Sequence, residues 1–394
     1  MTRETVLTNA RIVLDDAVVT GSVLIRDGRI ADVGAAPATS SGVIAEDLDG
    51  DYLLPGLVEL HTDHLESHIQ PRPGTNWDPV PAVLAHDAQI SGAGVTTVFD
   101  AVRIGGMEAQ ARPVTDLAAQ VASAIGYASD AGMTRSEHFI HVRCEVSSPN
   151  AVEEFEALAG VGHIRLASLM DHTPGQRQYA DVEAFRTYMV GKGHISDERF
   201  LPYIEELKQV AAVHSVPNRA EIARRAKERG IALAAHDDAT IEHVDESAGF
   251  GVLISEFPTT RVAAEEARKR GQLIVMGAPN IMRGGSQSGN VAAAELLAAG
   301  LLDILSSDYV PASPLQAVFL LDAEGTLPLV EGAKIVSSNP ARAVGLTDRG
   351  AIEAGRRADL VRVRTHDLPP SEKRPFGHRV PVVRGVWREG ARVS

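Results

Sequence analysis

The chain has 394 residues, of which 44% are apolar and 23% are charged, values that are ordinary for a soluble protein with a large core. Its 38 basic and 52 acidic residues give a net charge of −14, which argues against nucleic-acid binding but not against a small anion held by a local field. No membrane span or signal peptide is expected, and the single cysteine, Cys144, excludes an intrachain disulfide. We therefore expect a cytoplasmic protein with one catalytic domain and a smaller appendage.

Both ends of the chain show the short alternating segments that are typical of β-strands. Residues 5–52 alternate between polar and apolar side chains and are broken by tight turns, and the same pattern returns at 358–363 and 382–393. Neither end is large enough to bury a β core alone. The sequence therefore predicts a small composite β-sandwich domain made of residues 1–53 and 350–394.

The middle of the chain, residues 54–349, alternates apolar runs with amphipathic segments, which is the pattern of βα units and a parallel sheet. Eight such runs over about 250 residues are the usual content of a closed (β/α)8 TIM-type barrel, so an α/β fold is predicted. The predicted strands are 56–60, 94–100, 138–145, 163–170, 231–236, 251–257, 272–277 and 302–307. The predicted helices are 116–131, 218–229, 260–270 and 290–299.

Side chains that can bind metals lie at the carboxyl ends of several predicted strands. His61 and Asp63 follow the first strand two residues apart, so both point to one face if the strand continues through them. A single such residue is usually structural, but the strand ends of a barrel form one mouth where active sites lie. Six ligand-type residues at five strand ends predict a divalent metal centre: His61, Asp63, Glu145, His172, His236 and Asp308.

Longer motifs give the chain a resemblance to a known family. Residues 55–61 (PGLVELH), the split terminal β segments and the late Asp308 resemble the amidohydrolase superfamily. Further motifs resemble one family within it, the α-D-ribose 1-methylphosphonate 5-triphosphate diphosphatases of the bacterial carbon–phosphorus lyase pathway. These motifs are 61–66 (HTDHLE), 71–73 (PRP), 168–178 (SLMDHTPGQRQ), 235–240 (AHDDAT), 256–260 (EFPTT), 276–280 (MGAPN), 283–286 (RGGS) and 305–309 (LSSDY).

The resemblance implies a metal-dependent diphosphatase that acts on a phosphorylated ribosyl methylphosphonate. Its 5-triphosphate would be hydrolysed between the α- and β-phosphorus, so that pyrophosphate leaves and one 5-phosphate remains. Asp308 is then the expected catalytic residue, which orients the attacking water and takes or shuttles its proton.

The resemblance also implies how the metals are held in a binuclear centre of Zn, Mn, Fe or Co. Many relatives bridge two ions with a modified lysine, but this chain has no lysine before Lys192, so Glu145 is the expected bridge. His61 and Asp63 are assigned to one ion, which Asp308 completes. The second ion is assigned to His172 and His236.

Two features depart from the superfamily pattern. Its usual first motif is His-x-His, whereas the second member here is Asp63. Glu145 lies on the third predicted strand and His172 follows the fourth, whereas the superfamily pattern would place these ligands on the fourth and fifth strands. Either the prediction lacks a strand or this barrel deviates.

A triphosphate needs cationic side chains and backbone donors. The stretch from Arg283 leads into a helix predicted near Asn290, whose free amides are suited to phosphate; Gly284 and Gly285 are equally compatible with a tight loop alone. Arg143 is equally compatible with an ion pair inside the barrel. The predicted substrate-binding residues are Arg72, Arg177, Arg283, Gly284, Gly285 and Ser286.

Other histidines receive weaker assignments. His64 and His68 are four residues apart, but a metal site on their helix is rejected because two prolines soon follow and no Glu-x-x-His frame surrounds them. His86 stays unassigned, as a helix-capping or ribose-binding residue. His141 shares a strand face with Glu145 and is expected behind the metal ligands.

Two alternative functions are kept open. One is another metal-dependent hydrolase of the same architecture, either a deaminase or a C–N hydrolase of cyclic amides, whose substrates need few cations. The other is a non-catalytic relative that keeps the barrel as an assembly module. A homo-oligomer is compatible with the sequence, which does not define the oligomeric state.

Overall fold

A computed structural model of the protein describes residues 4–34, 43–72, 74–106, 114–191, 195–286, 289–370 and 378–394. The strands within these ranges lie in two sheets, and none of the helices there combines the length and hydropathy of a membrane span. In chain order the strands are β1 Glu4–Val13, β2 Val18–Arg26, β3 Arg29–Gly34, β4 Ile44–Asp47, β5 Tyr52–Pro55, β6 Leu57–Thr62, β7 Val95–Ile104, β8 Glu137–Glu145, β9 Ile164–Met170, β10 Ala232–His236, β11 Ile254–Glu256, β12 Leu273–Gly277, β13 Ile304–Ser306, β14 Leu360–Leu368, β15 His378–Arg388 and β16 Ala391–Arg392. The helices are α1 His64–Ile69, α2 Pro79–Gly92, α3 Val114–Asp130, α4 Ala151–Ala159, α5 Val182–Gly191, α6 Asp197–Glu228, α7 Ile241–Gly249, α8 Arg261–Lys269, α9 Ala278–Arg283, α10 Ala293–Ala298, α11 Ser313–Ala323, α12 Leu329–Val336 and α13 Ser338–Ala343.

The first sheet joins the two ends of the chain. Its strand order is β16-β15-β14-β5-β1-β2-β3, and β4 pairs with the start of β1. Antiparallel pairing of β5 with β14, with Leu54 opposite Val361, connects the N-terminal and C-terminal segments. The predicted β unit from both ends is confirmed, but its described strands form one hydrogen-bonded sheet and not the predicted sandwich of two. The boundary predicted after residue 53 falls inside β5, and the division into two domains stays a prediction.

The second sheet is a nearly closed barrel of eight parallel strands, β6 to β13 in sequence order. Each of these strands overlaps one of the eight predicted runs, so the prediction of an eight-stranded parallel barrel is confirmed. Every barrel strand contributes to one buried apolar cluster, which includes Leu60, Phe99, Leu166 and Ile254. Strands that are buried on both faces appear in the sequence as continuous apolar runs, which is why they could be recognised.

The barrel closes where β6 meets β13. The amide of Asp63 donates to the carbonyl of Asp308 at 2.9 Å, and the amide of Asp308 donates to the carbonyl of His61 at 3.1 Å. Deeper in this seam, the buried Glu59 carboxylate accepts hydrogen bonds from the amides of His61 at 2.7 Å and Ser307 at 2.6 Å. The Glu59 side chain therefore supplies hydrogen-bond acceptors where the backbone hydrogen bonds between β6 and β13 are incomplete.

Two helices differ from their predicted bounds. Helix α6 has 32 residues and contains Pro202 and Pro217, whereas only 218–229 was predicted to be helical. Proline inside a helix normally costs about 3 kcal/mol, so tertiary packing and not local propensity keeps α6 continuous. Helix α10 begins at Ala293 and not near Asn290, because the preceding residue is still extended.

Glu137, the first residue of β8, connects the barrel to the segment that leads into the terminal sheet. It accepts a hydrogen bond from Arg357 Nη1 at 2.7 Å and another from Arg349, and both arginine side chains are almost fully buried. Burial opposes ionisation of Glu137, but Arg357 and Arg349 outweigh it and lower the pKa of the carboxyl below its ordinary value. The three side chains therefore form a charged clamp.

We predict that Glu137→Gln lowers the free energy of unfolding by about 2 kcal/mol near neutral pH, since two buried guanidinium groups lose an ionised partner. Because the folded pKa of Glu137 is lowered, its contribution is present above the unfolded pKa of about 4.5 and is lost as pH falls through the folded pKa. Urea unfolding at about pH 7 and about pH 3.5 should show that the difference between wild type and variant shrinks. Glu153→Gln, an exposed change on α4, is the control. An equal difference at both pH values would contradict the clamp.

Candidate metal centre at the barrel mouth

The side chains predicted as metal ligands lie at the carboxyl ends of the barrel strands. Glu145 is the last residue of β8, His236 is the last residue of β10, and His61 is the penultimate residue of β6. Because the strands are parallel, these ends open on the same mouth. Three further predicted ligands follow their strands within two residues: Asp63, His172 and Asp308.

Asp63 and Asp308 flank His61 at the closing seam. The Nε2 atom of His61 lies 3.7 Å from Oδ1 of Asp63. Asp308 has a left-handed backbone with φ of 53°, a conformation that costs free energy in a non-glycine residue and is common at functional sites. Burial raises the pKa of the Asp308 carboxyl, an effect that His61 opposes and Asp63 reinforces. A carboxyl with a raised pKa is suited to accept a proton.

Glu145, His172, His236 and Asp237 form the other side of the mouth. Glu145 lies 2.6 Å from Nδ1 of His172 and accepts a hydrogen bond from the His172 amide at 3.0 Å. Asp237 Oδ2 lies 3.7 Å from Nε2 of His172 and 3.3 Å from Nε2 of His236. Burial opposes ionisation of Glu145, but His172 outweighs it and lowers the pKa of the carboxyl to about 2. Glu145 is therefore an ionised carboxylate beside an imidazole.

Glu256, the last residue of β11, holds the two central histidines in place. Its Oε1 lies 3.2 Å from Nδ1 of His61, and its Oε2 lies 3.3 Å from Nδ1 of His236. Ser168 donates a further hydrogen bond to Oε2 at 2.6 Å. Because a carboxylate lies at each Nδ1, it is the Nε2 atoms that lie near the other groups of the mouth, Asp63 for His61 and Asp237 for His236. A carboxylate at the other ring nitrogen is the usual arrangement behind metal-bound histidines. Sequence reasoning missed this role, although Glu256 is the penultimate residue of the predicted strand 251–257 and lies in a family motif.

Arg143 links the two sides of the mouth. Its Nη1 donates to both carboxylate oxygens of Asp63 at 2.7 and 2.8 Å, and its Nη2 lies 3.5 Å from Nε2 of His236. Of the alternatives left open by the sequence, the ion pair inside the barrel is the one observed. The Arg143 side chain is only 14% exposed. Its positive charge therefore lies inside the mouth, close to the predicted ligands.

His141 lies behind the predicted ligands, as expected from its strand position. Its Nδ1 is 2.9 Å from the carbonyl oxygen of Leu60, its Nε2 contacts Ser168, and its ring packs edge-on against His61 at 5.0 Å between centroids. Burial lowers the pKa of His141 to about 3, so the ring is neutral. His141 therefore supports the orientation of its neighbours.

The donors at the mouth fit a divalent metal. One ligand atom from each of His172, His236 and Asp237 lies within 4.8 Å of the other two. The same holds for His61, His141 and Glu256, where Glu256 and His141 support His61 from behind. The Oδ2 atom of Asp237 is buried and lacks a hydrogen-bond partner of good geometry among the described residues. Imidazole and carboxylate donors suit Zn, Mn, Fe or Co. The structure adds Asp237 and Glu256 to the side chains that sequence reasoning singled out.

Comparison with known proteins agrees with this fold. Residues 88–394 match the Amidohydrolase family. The chain belongs to the amidohydrolase family. It is 44% identical over 392 residues, which are 98% of this chain and 100% of the relative, to the alpha-D-ribose 1-methylphosphonate 5-triphosphate diphosphatase of Escherichia coli (strain K12). The predicted family membership is therefore confirmed.

Solved structures of lower identity share the fold of this amidohydrolase. N-acetyl-D-glucosamine-6-phosphate deacetylase from Mycobacterium smegmatis superposes with a TM-score of 0.61 at 18% identity, over 99% of this chain and 100% of that chain. N-isopropylammelide isopropylaminohydrolase from Burkholderia multivorans ATCC 17616 superposes with a TM-score of 0.62 at 17% identity, over 99% of this chain and 98% of that chain. At such identities the likeness concerns the fold alone.

The strand positions of two ligands distinguish this amidohydrolase from the superfamily pattern described above. Glu145 ends the third barrel strand and His172 follows the fourth, and within the described ranges only β7 separates β6 from β8 in the barrel. Among the described residues, the prediction therefore lacked no barrel strand. If Glu145 and His172 are ligands, this barrel deviates from the superfamily pattern.

Two of the predicted phosphate-binding arginines lie in different surroundings. Arg72 is exposed in a short turn closed by Thr75. Arg177 is buried, pairs with the buried Asp238 and lies 3.4 Å from Glu246. Carboxylates thus already surround the Arg177 guanidinium, and the substrate contacts of both arginines stay a prediction.

The Arg283–Ser286 motif ends helix α9. Gly284 has a left-handed φ of 79°, and the amides of Gly284 and Gly285 donate to the carbonyls of Ile281 at 3.1 Å and Asn280 at 2.9 Å. Both amides thus cap α9, which matches the tight-loop alternative. Residues 287 and 288 lie outside the described residues. Phosphate binding by this motif stays a prediction that depends on the side chains of Arg283 and Ser286.

We predict that Glu256→Gln weakens metal binding about 10- to 100-fold, because His61 and His236 lose the carboxylate that orients their rings. Metal content of the purified protein after dialysis against graded chelator concentrations measures this loss. Glu265→Gln, an exposed change on α8, is the matched control. Retention of wild-type metal affinity in a folded Glu256→Gln protein would contradict the role assigned to Glu256.

Proposed function

We propose that this amidohydrolase is a metal-dependent diphosphatase that hydrolyses α-D-ribose 1-methylphosphonate 5-triphosphate to the 5-phosphate and pyrophosphate in phosphonate degradation. The observation that carries this proposal is 44% identity to the E. coli diphosphatase over nearly the full length of both chains. The barrel mouth supports it, because carboxylates, imidazoles and a guanidinium are gathered there.

The ligand assignments of this proposal follow the predicted set. His61 and Asp63 would hold one ion with Asp308, His172 and His236 would hold the second, and Glu145 would bridge them. When bound, such divalent metals activate water for attack and neutralise phosphate charge. Asp237 supports the second position, since its buried oxygen faces both imidazoles at 3.3 and 3.7 Å.

Asp308 is proposed to orient the attacking water and to accept its proton. Partial burial raises the pKa of its carboxyl, and its Oδ2 lies where the neighbouring strand has Gly277, so no side chain covers it there. As the water oxygen bonds to the α-phosphorus, the bond from that phosphorus to the oxygen bridging the β-phosphorus breaks. Pyrophosphate then leaves, and the proton passes from Asp308 to the leaving group or to solvent.

Cationic side chains at the mouth are suited to hold the triphosphate. Arg103, near the end of β7, is 44% exposed, and its Nη2 lies 3.5 Å from Oε2 of Glu145. We propose that Arg103 binds phosphate oxygens together with the predicted Arg72, Arg283 and Ser286. A local group of guanidinium charges can attract an anion to a chain whose net charge is −14.

Arg177 is assigned a positioning role within this function. Its buried guanidinium pairs with Asp238, the residue after Asp237, and with Glu246 on α7. It has a left-handed φ of 48°, so its backbone conformation is also constrained. We infer that it holds the His236–Asp238 turn against the mouth.

The reaction is tested by incubating metal-reconstituted protein with the methylphosphonate triphosphate. We expect one pyrophosphate per 5-phosphate formed, followed by phosphorus NMR, and Asp308→Asn should lower kcat by about 10²- to 10⁴-fold. Cleavage of a cyclic amide or an N-acyl amino acid without release of pyrophosphate would overturn the proposal. It would favour a C–N hydrolase.

We predict that Arg103→Ala raises KM about tenfold with a smaller change in kcat, because the variant loses one charge-assisted contact to the substrate. Steady-state kinetics with coupled detection of pyrophosphate measures both constants. Arg199→Ala is the matched control, since Arg199 is an exposed arginine in a surface ion pair on α6. Unchanged KM in Arg103→Ala would remove this residue from the substrate site.

A further inference from the structure

Three histidines that have no role in the candidate metal centre face one another on the two helices that follow β6. His64 and His68 lie one turn apart on α1, and His86 lies on α2. Their ring centroids are separated by 4.9 Å (His64 to His68), 5.8 Å (His64 to His86) and 6.0 Å (His68 to His86). One nitrogen from each ring lies within 4.8 Å of the other two.

One nitrogen on each ring is buried and has no hydrogen-bond partner within the part of the chain that the structure describes: Nδ1 of His64, Nε2 of His68 and Nδ1 of His86. His86 as a whole is fully buried. Buried polar atoms nearly always have a hydrogen-bond partner. Three buried nitrogens without one, on rings that face one another, therefore indicate a ligand that all three could bind.

A carboxylate behind His86 sets the direction of its free nitrogen. Asp100 Oδ1 lies 2.8 Å from Nε2 of His86, and Oδ2 lies 2.7 Å from Nδ1 of His138, which also contacts Asp87. Because a carboxylate oxygen accepts the hydrogen bond at Nε2 of His86, that nitrogen donates the proton, and Nδ1 of the same ring is left as the atom with a lone pair.

We propose that His64, His68 and His86 form a second metal site that binds a zinc-class transition metal, with water in the fourth position. Three neutral imidazoles suit Zn, Co, Ni or Cu, and a carboxylate hydrogen-bonded to one ligand is the usual support behind such sites. Tetrahedral zinc requires ligand nitrogens about 3.4 Å apart, so small ring rotations would close the observed arrangement.

This proposal departs from the sequence prediction, which rejected a metal site on the helix of His64 and His68. The prolines that follow do end α1 after Ile69, but the third ligand comes from α2 and not from the same helix. Because α1 starts directly after Asp63, an ion here would fasten α1 to α2 and steady the turn that carries His61 and Asp63. The site is distinct from the mouth, and its existence does not depend on the proposed reaction.

The test counts metal ions in untagged protein that has been reconstituted with zinc and freed of excess metal on a desalting column. Plasma mass spectrometry should find about one zinc per chain fewer in His68→Gln than in wild type. His214→Gln, a half-buried histidine on α6 with no hydrogen bond or ion pair among the described residues, should match wild type. Glu145→Gln, which changes the mouth, should retain the zinc at the three histidines.

Two further measurements cover failure of the variant to fold. Circular dichroism first establishes that His68→Gln is folded, and anomalous diffraction at the zinc edge from wild-type crystals locates each ion without any substitution. A peak between the three imidazoles supports the site. Equal zinc in folded His68→Gln and wild type, or anomalous peaks at the mouth alone, would overturn it.

Discussion

Closure of the barrel between its first and last strands is the constraint on which the candidate metal centre depends. Strand β13 is only three residues long, so few ladder hydrogen bonds join it to β6. The buried Glu59 carboxylate supplies two acceptors across the seam, at 2.7 and 2.6 Å from the amides of His61 and Ser307. This junction brings Asp308 beside His61 and Asp63, which come from the opposite end of the barrel segment.

The mouth is an interdependent set of buried charges. Burying an isolated carboxylate is costly, and each one here has a basic neighbour: Asp63 has Arg143, Glu145 has His172, and Glu256 has His61 and His236. Arg143 spans both halves, so a change to one ligand alters the environment of several others.

A second polar network runs beside the first and shares the turn after β6. Asp100 from β7 and His138 from β8 connect the three histidines of α1 and α2 to Asp87. Helix α1 starts at His64, and the His64 ring packs against His68 and His86. Asp63 and His64 are therefore neighbours in sequence but contribute to different clusters.

Much of the barrel and of the candidate site follows from local pattern. Strands buried on both faces require continuous apolar runs, and a ligand at a strand end is recognisable because parallel strands open on one mouth. That logic located His61, Glu145 and His236, and it applies equally to Glu256, whose position in the motif was noted without a role.

Only the tertiary structure decided the remaining features. The single terminal sheet, the continuity of α6 through Pro217, and the carboxylates that enclose Arg177 depend on partners distant in sequence. The three-histidine cluster is of the same kind, since His86 joins His64 and His68 only once α2 packs on α1. Periodicity and spacing in the sequence show which side chains one strand or helix places on the same face. A binding site combines side chains from several segments, and tertiary packing sets how these segments are placed relative to one another.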